Sequence, residues 1–137
     1  MIAVKYGVFL TPKEATAPER LVMLYDDLRA LLSEYHPQIA AVEKLFFSRN
    51  VTTALAVGQA RGVVMLSAGM HGLPCYSYTP QAVKQAVCGS GRAEKGQIQR
   101  MVGALLSLPE PPSPDHAADA LAVAICHANG AAMRAAI

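Results

Sequence analysis

Along the first ten residues, Ile2, Val4, Tyr6, Val8 and Leu10 alternate with their neighbours, a period of two that predicts a short strand ending at Thr11-Pro12. The period then changes. Between Ala17 and Tyr35, Leu21, Leu24, Leu28, Leu31 and Leu32 recur at helical spacing, with Pro18 suited to a first turn and His36-Pro37 to stop the run. Ile39-Ala40-Ala41-Val42 is a short apolar run closed by Glu43, the pattern of a buried parallel strand whose carboxyl end reaches a site. A loop over 46–50 follows. A helix then runs from Val51 to about His71, in which Gly58 and Gly62 leave a smooth stripe for close packing.

Leu73 to Tyr78 predicts a second strand, and Thr79-Pro80 opens a short helix over 81–87 that Gly89-Ser90-Gly91 ends. A further helix is expected from Ala93 to Leu108. It gives way to a stiff connector with four prolines over 109–114, and a last helix begins near Asp115 and runs through Ala117 to about His127. Strands alternating with helices, without an internal repeat, predict one α/β domain over residues 1–137 with a partly parallel sheet.

Composition narrows the class. A chain of 137 residues with 53% hydrophobic and 16% charged residues can bury a real core, which excludes disorder over its whole length. A net charge of +2 permits a polyanionic partner without announcing one. Cys75, Cys88 and Cys126 are odd in number and form no C-x-x-C pair, so neither a zinc knuckle nor a disulfide framework is expected, and they read as reduced core thiols of a cytoplasmic protein. The N-terminus lacks a leader pattern, and Asp119, His127 and Arg134 interrupt the Ala-rich end, so no membrane segment is expected.

The chemistry-bearing residues are few. Glu43 closes an apolar strand, where a carboxylate must be solvated, paired or bound to a cation. His116 and Asp119, three apart at the start of the last helix, project from one face of its first turn. Hard carboxylate oxygens with an imidazole suit Mg²⁺ or Mn²⁺. A strand-end glutamate facing water fits the same pattern, and Asp115, His116 and Asp119 equally serve to cap that helix and complement its dipole. Lys44, Arg49, Lys84, Arg92 and Lys95 form a basic set near the strand ends. The Gly89-Ser90-Gly91-Arg92 turn can present N–H groups to a phosphate, or be a plain turn. Phe46 and Phe47 cannot both point inward from an extended loop, which leaves one to stack on a base or to pack beneath the loop.

Taken in order, Val42-Glu43 with Phe46 and Asn50, Val57-Gly58-Gln59-Ala60-Arg61-Gly62-Val63, Pro80-Gln81-Ala82-Val83-Lys84, Gly89-Ser90-Gly91-Arg92-Ala93-Glu94-Lys95 and His116-Ala117-Ala118-Asp119-Ala120-Leu121-Ala122 resemble the RuvC family of Holliday junction endonucleases. The resemblance spans almost the whole chain. It implies an RNase H-like fold, a mixed sheet flanked by helices, and a homodimer that nicks a four-way DNA junction symmetrically in recombination and repair. It further implies a divalent-metal site, Mg²⁺ or Mn²⁺, at Glu43, His116 and Asp119, with Lys84 and Lys95 supporting phosphate chemistry and Phe46 engaging unpaired DNA, while Arg49 and Arg92 are expected on DNA phosphates from their place in the basic set alone. The helix from Val51 falls where the family dimerises, and the RuvA-RuvB branch-migration complex is the implied partner. Family members begin with an Asp-bearing strand, Pro-Gly and a second strand. Neither is in this sequence, whose residues 2 to 10 match the third strand, so the domain is expected to be N-terminally incomplete and inactive by itself. A binding-only protein that recognises branched DNA without cutting it is the alternative that this departure carries.

Overall fold

A computed structural model describes residues 1–44 and 51–130. Its elements run α1 (Ala17–Tyr35), β1 (Ala40–Glu43), α2 (Val51–Met70), β2 (Cys75–Tyr78), α3 (Pro80–Cys88), α4 (Lys95–Leu105) and α5 (Asp115–Ala128). The strands pair in parallel: Ala40 N–H donates to the Pro74 carbonyl at 2.9 Å and Lys44 N–H to the Tyr78 carbonyl at 2.7 Å, so donor and acceptor advance together. Parallel pairing sends both strands to the same edge, with Glu43 closing β1 beside Tyr78 at the end of β2.

The expected strand over residues 2–10 does not form. Those residues are neither helical nor in the sheet, and Ile2, Val4 and Leu10 are 87%, 76% and 84% exposed. Alternation selects which side chains would share a face, but a strand exists only through the neighbour that takes up its backbone groups. Among the described residues the sheet holds two strands, β1 and β2.

The chain divides into two compact units. One comprises Phe9–Ala40 and the described residues from Val51 to Cys75, and its substance is α1 against α2. The start of α1 is locked by a capping box: the Thr16 hydroxyl accepts from Glu19 N–H at 3.3 Å, and the Glu19 carboxylate accepts from Thr16 N–H at 3.1 Å. His36 ends it in a left-handed conformation, φ 47°, its N–H returning to Leu32. The leucines expected at helical spacing are the half-buried face of α1. In α2, Val51, Leu55, Leu66 and Met70 are each more than half exposed, on the stripe that also carries Gly62. Although no membrane segment is expected from the chain ends, α2 is long and apolar enough to cross a membrane by length and mean hydropathy, 1.2. A helix apolar on more than one side wants more than one apolar neighbour.

The other unit comprises Met1–Val8, Ala41–Lys44 and the chain from Tyr76 on. Here α3, α4 and α5 pack on one another around Tyr78, Val83, Ile98, Val102, Val123 and Ile125. On α5, Ala117, Ala118, Ala122 and Cys126 have no exposed surface, so the helix approaches its neighbours on a face of small side chains. The helix expected over 93–108 is shorter, because Ala93 is spent in the turn before α4 and Ser107 turns left-handed after it, φ 53°. Tyr78 and His127 bridge β2 to α5, Oη to Nδ1 at 2.5 Å.

Where the proline connector folds back on α4, a Cβ at Gly103 would stand 3.3 Å from Pro111 Cα, and Gly103 is buried. At Gly96 it would meet only the guanidinium end of Arg100, which can move. Alanine gains ~1 kcal/mol in helix propensity at either position, but overpacking against stiff backbone costs ~1–3 kcal/mol. Gly96→Ala is therefore expected to raise the urea midpoint and Gly103→Ala to lower it. Equal shifts of one sign would remove the close approach from the account.

Candidate active site

Four elements of the second unit supply the site. β1 ends in Glu43, α3 brings Lys84, α4 opens with Lys95, and α5 carries Asp119 one turn from its start. Local sequence explains the placement of α3, and with it Lys84. Thr79 caps α3, its hydroxyl accepting from Ala82 N–H at 3.0 Å, with Pro80 at the first helical position. Gly89 closes α3 at φ 74°, a conformation open to glycine at little cost.

Glu43, Lys84 and Asp119 line one small hollow of about 50 Å³, walled by Pro80, Val83, Ile98, Ala122 and Val123. Apolar walls lower the local dielectric and strengthen whatever electrostatics act inside. The Glu43 carboxyl is pushed above its ordinary value of 4.5, first by desolvation and then by the negative charge of Asp119, while Lys84 and Lys95 pull the other way. A half-buried carboxylate whose ionisation is opposed by burial and by a neighbouring negative charge, with lysines as partial compensation, is what a bound cation relieves.

His116 stands apart from that hollow. It is 83% exposed on its side chain, with Nδ1 3.9 Å from Asp119 Oδ2. Among the described residues, no three of His, Cys, Asp and Glu come together closely enough to hold a metal ion. The donor set that does converge, two carboxylates, is hard oxygen and fits a divalent cation such as Mg²⁺ or Mn²⁺.

The remaining sequence candidates divide. Arg92 lies exposed in the turn before α4. Two N–H groups of that turn are taken internally: Arg92 N–H donates to Ser90 Oγ at 3.2 Å and Ala93 N–H to the Ser90 carbonyl at 3.3 Å, as in a plain turn. Phe46 and Arg49, with the loop over 46–50, lie outside the described residues. All three cysteines are free thiols, each pushed up by burial.

Sequence reasoning missed two partners. Asp115, weighed only as a helix cap, makes no cap hydrogen bond; its Oδ2 lies 3.4 Å from Lys95 Nζ and its Oδ1 accepts from Gln99 Nε2 at 2.7 Å. The i, i+4 spacing of Lys95 and Gln99 was visible, but the acid they converge on follows the connector, sixteen residues beyond Gln99.

The RuvC family profile, described as crossover junction endodeoxyribonuclease RuvC, matches residues 1–127. The crossover junction endodeoxyribonuclease RuvC of Desulfitobacterium hafniense (strain Y51) is 58% identical over 129 residues, 94% of this chain and 78% of the relative. That of Roseiflexus sp. (strain RS-1) is 55% identical over 127 residues, 93% and 76% of the two chains. Among solved structures, Thermus thermophilus RuvC matches with a TM-score of 0.83 at 40% identity, over 91% of this chain and 75% of that one. T. thermophilus RuvC in complex with Holliday junction substrate matches at 0.84 and 39%, over 91% and 78%. The expected RNase H-like α/β class is the fold of these neighbours, and with identity above one half across nine-tenths of its length the chain belongs to the RuvC family of crossover junction endodeoxyribonucleases.

Proposed function

We propose that this protein resolves Holliday junctions by hydrolysing a phosphodiester at paired positions in the hollow that Glu43, Asp119 and Lys84 share. The observation that carries this reading is the convergence of two carboxylates and a lysine on one apolar-walled hollow, in a chain whose relatives are named as junction endonucleases. Those relatives favour the nuclease over the binding-only alternative.

Glu43 and Asp119 would hold a divalent metal ion, Mg²⁺ or Mn²⁺, while His116, exposed beside Asp119, stays outside the hollow. When bound, the metal supplies Lewis acidity at the scissile phosphate. The protein's own part is electrostatic. Lys84 on the hollow's wall and Lys95, whose charge acts on Glu43, offset phosphate charge, and the apolar walls exclude competing water. Arg92 and Lys44, exposed nearby in sequence, along with Arg49 and Phe46, supply contacts to the DNA backbone and unpaired bases.

Cutting two strands at related positions calls for two sites at a fixed separation, which an isologous dimer provides. The exposed apolar stripe of α2 around Gly62 supports that homodimer, with one nuclease domain per chain working in the cytoplasm beside the RuvA-RuvB branch-migration complex. The test is a synthetic four-way junction labelled on each strand in turn. Paired, symmetric nicks with Mg²⁺ or Mn²⁺ and none after chelation are expected. Tight binding without nicks in either metal would favour the binding-only protein.

A further inference from the structure

Asp115 opens α5, yet both of its carboxylate oxygens are engaged by α4. Oδ2 lies 3.4 Å from Lys95 Nζ, and Oδ1 accepts from Gln99 Nε2 at 2.7 Å. Lys95 and Gln99 stand one turn apart on the same face of α4, so two donors grip one carboxylate from one side. As a stabilising contact the ion pair is minor, because its side chains are 55% and 51% exposed and pairs so open contribute ~0–1 kcal/mol. Its place matters more than its strength. The Lys95 ammonium is, with Lys84, one of the cations among the described residues whose charge acts on Glu43, so it stands within the field of the site. Left alone, an ammonium on a four-carbon stem samples many rotamers, most of them directed away from the phosphate it serves.

We propose that Asp115 is a positioning residue for Lys95. Gln99 orients the carboxylate through one oxygen, and the other oxygen holds the ammonium at the rim of the site before the junction arrives. Asp115 itself touches no substrate and acts through Lys95. This rests on the reading of the hollow as a phosphodiesterase site.

The experiment is a double-mutant cycle read by single-turnover cleavage of a four-way junction at saturating protein. Asp115→Ala is expected to slow cleavage about tenfold, the effect of a misplaced catalytic group, with thermal midpoint and junction affinity close to wild type. In a Lys95→Ala background the same change is expected to have no further effect, and Asp115→Glu to restore most of the rate. Gln99→Ala is expected to show a smaller loss of the same kind. Independent, multiplicative losses at 95 and 115 would assign Asp115 to the fold rather than to Lys95, and an unchanged or faster rate in Asp115→Ala would equally overturn the proposal. A wild-type protein that binds the junction but makes no nicks would instead sink the functional reading on which it depends.

Discussion

Glu43→Gln is expected to slow junction cleavage by roughly 10²–10³-fold, the scale on which loss of one electrostatic group in a site is felt, and at the same time to stabilise the metal-free protein at neutral pH. The two effects share a cause. Burial, and then Asp119, raise the Glu43 carboxyl above 4.5, so the folded chain holds that proton more firmly than the unfolded one. A raised carboxyl contributes stability that is full below 4.5 and is lost as pH rises through its folded value. Above that window the ionised side chain is a liability, and glutamine has none. The difference in thermal midpoint between variant and wild type should therefore vanish near pH 4 and open toward pH 7. Adding Mg²⁺ or Mn²⁺ should raise the midpoint of wild type more than that of the variant, because the cation relieves the repulsion with Asp119. Asp119→Asn should lose cleavage to a similar extent. Wild-type nicking by Glu43→Gln, or a variant less stable than wild type at neutral pH without metal, would take the carboxylate pair out of the site.

The second large effect concerns α2. A Cβ added at Gly62 meets nothing within 4 Å in the protomer, so Gly62→Leu has room within its own chain. The neighbouring stripe of Val51, Leu55, Leu66 and Met70 is exposed apolar surface that a partner copy would cover. A bulky residue at the centre of such an interface costs ~2 kcal/mol or more, or about 30-fold in the dimer dissociation constant. If α2 carries the proposed homodimer interface, wild type should sediment as a dimer and Gly62→Leu as a monomer at the same concentration, with helical circular dichroism kept and the pairing of nicks lost. Unchanged sedimentation would place the interface elsewhere.

How much of this was legible beforehand depended on whether the signal was local. The bounds of α1 are written in Thr16, Glu19, Pro18 and His36, all within reach of the helix ends they make. Glu43 was legible because a charge that ends an apolar strand is conspicuous, and Asp119 because its motif sits on one helical turn. The failures were non-local. Residues 2–10 have the right alternation, but whether they form a strand is decided by a neighbour, not by themselves. Asp115 looked like dipole chemistry until the connector was folded back to bring Lys95 and Gln99 to it. Tyr78 and His127, forty-nine residues apart, carry no local sign of their bond.

The alanine face of α5 sets how this protein can drift over generations. Methyl groups have no rotamers, so Ala117, Ala118 and Ala122, with no exposed surface, leave the helix no way to absorb a larger side chain except by moving as a body. Asp119 rides on that helix while Glu43 is anchored in the sheet, so any such movement changes the separation of the two carboxylates directly. Substitutions at the three buried alanines should therefore be confined to the smallest residues, whereas Ala120 and Ala124, exposed on the same helix, are free to vary.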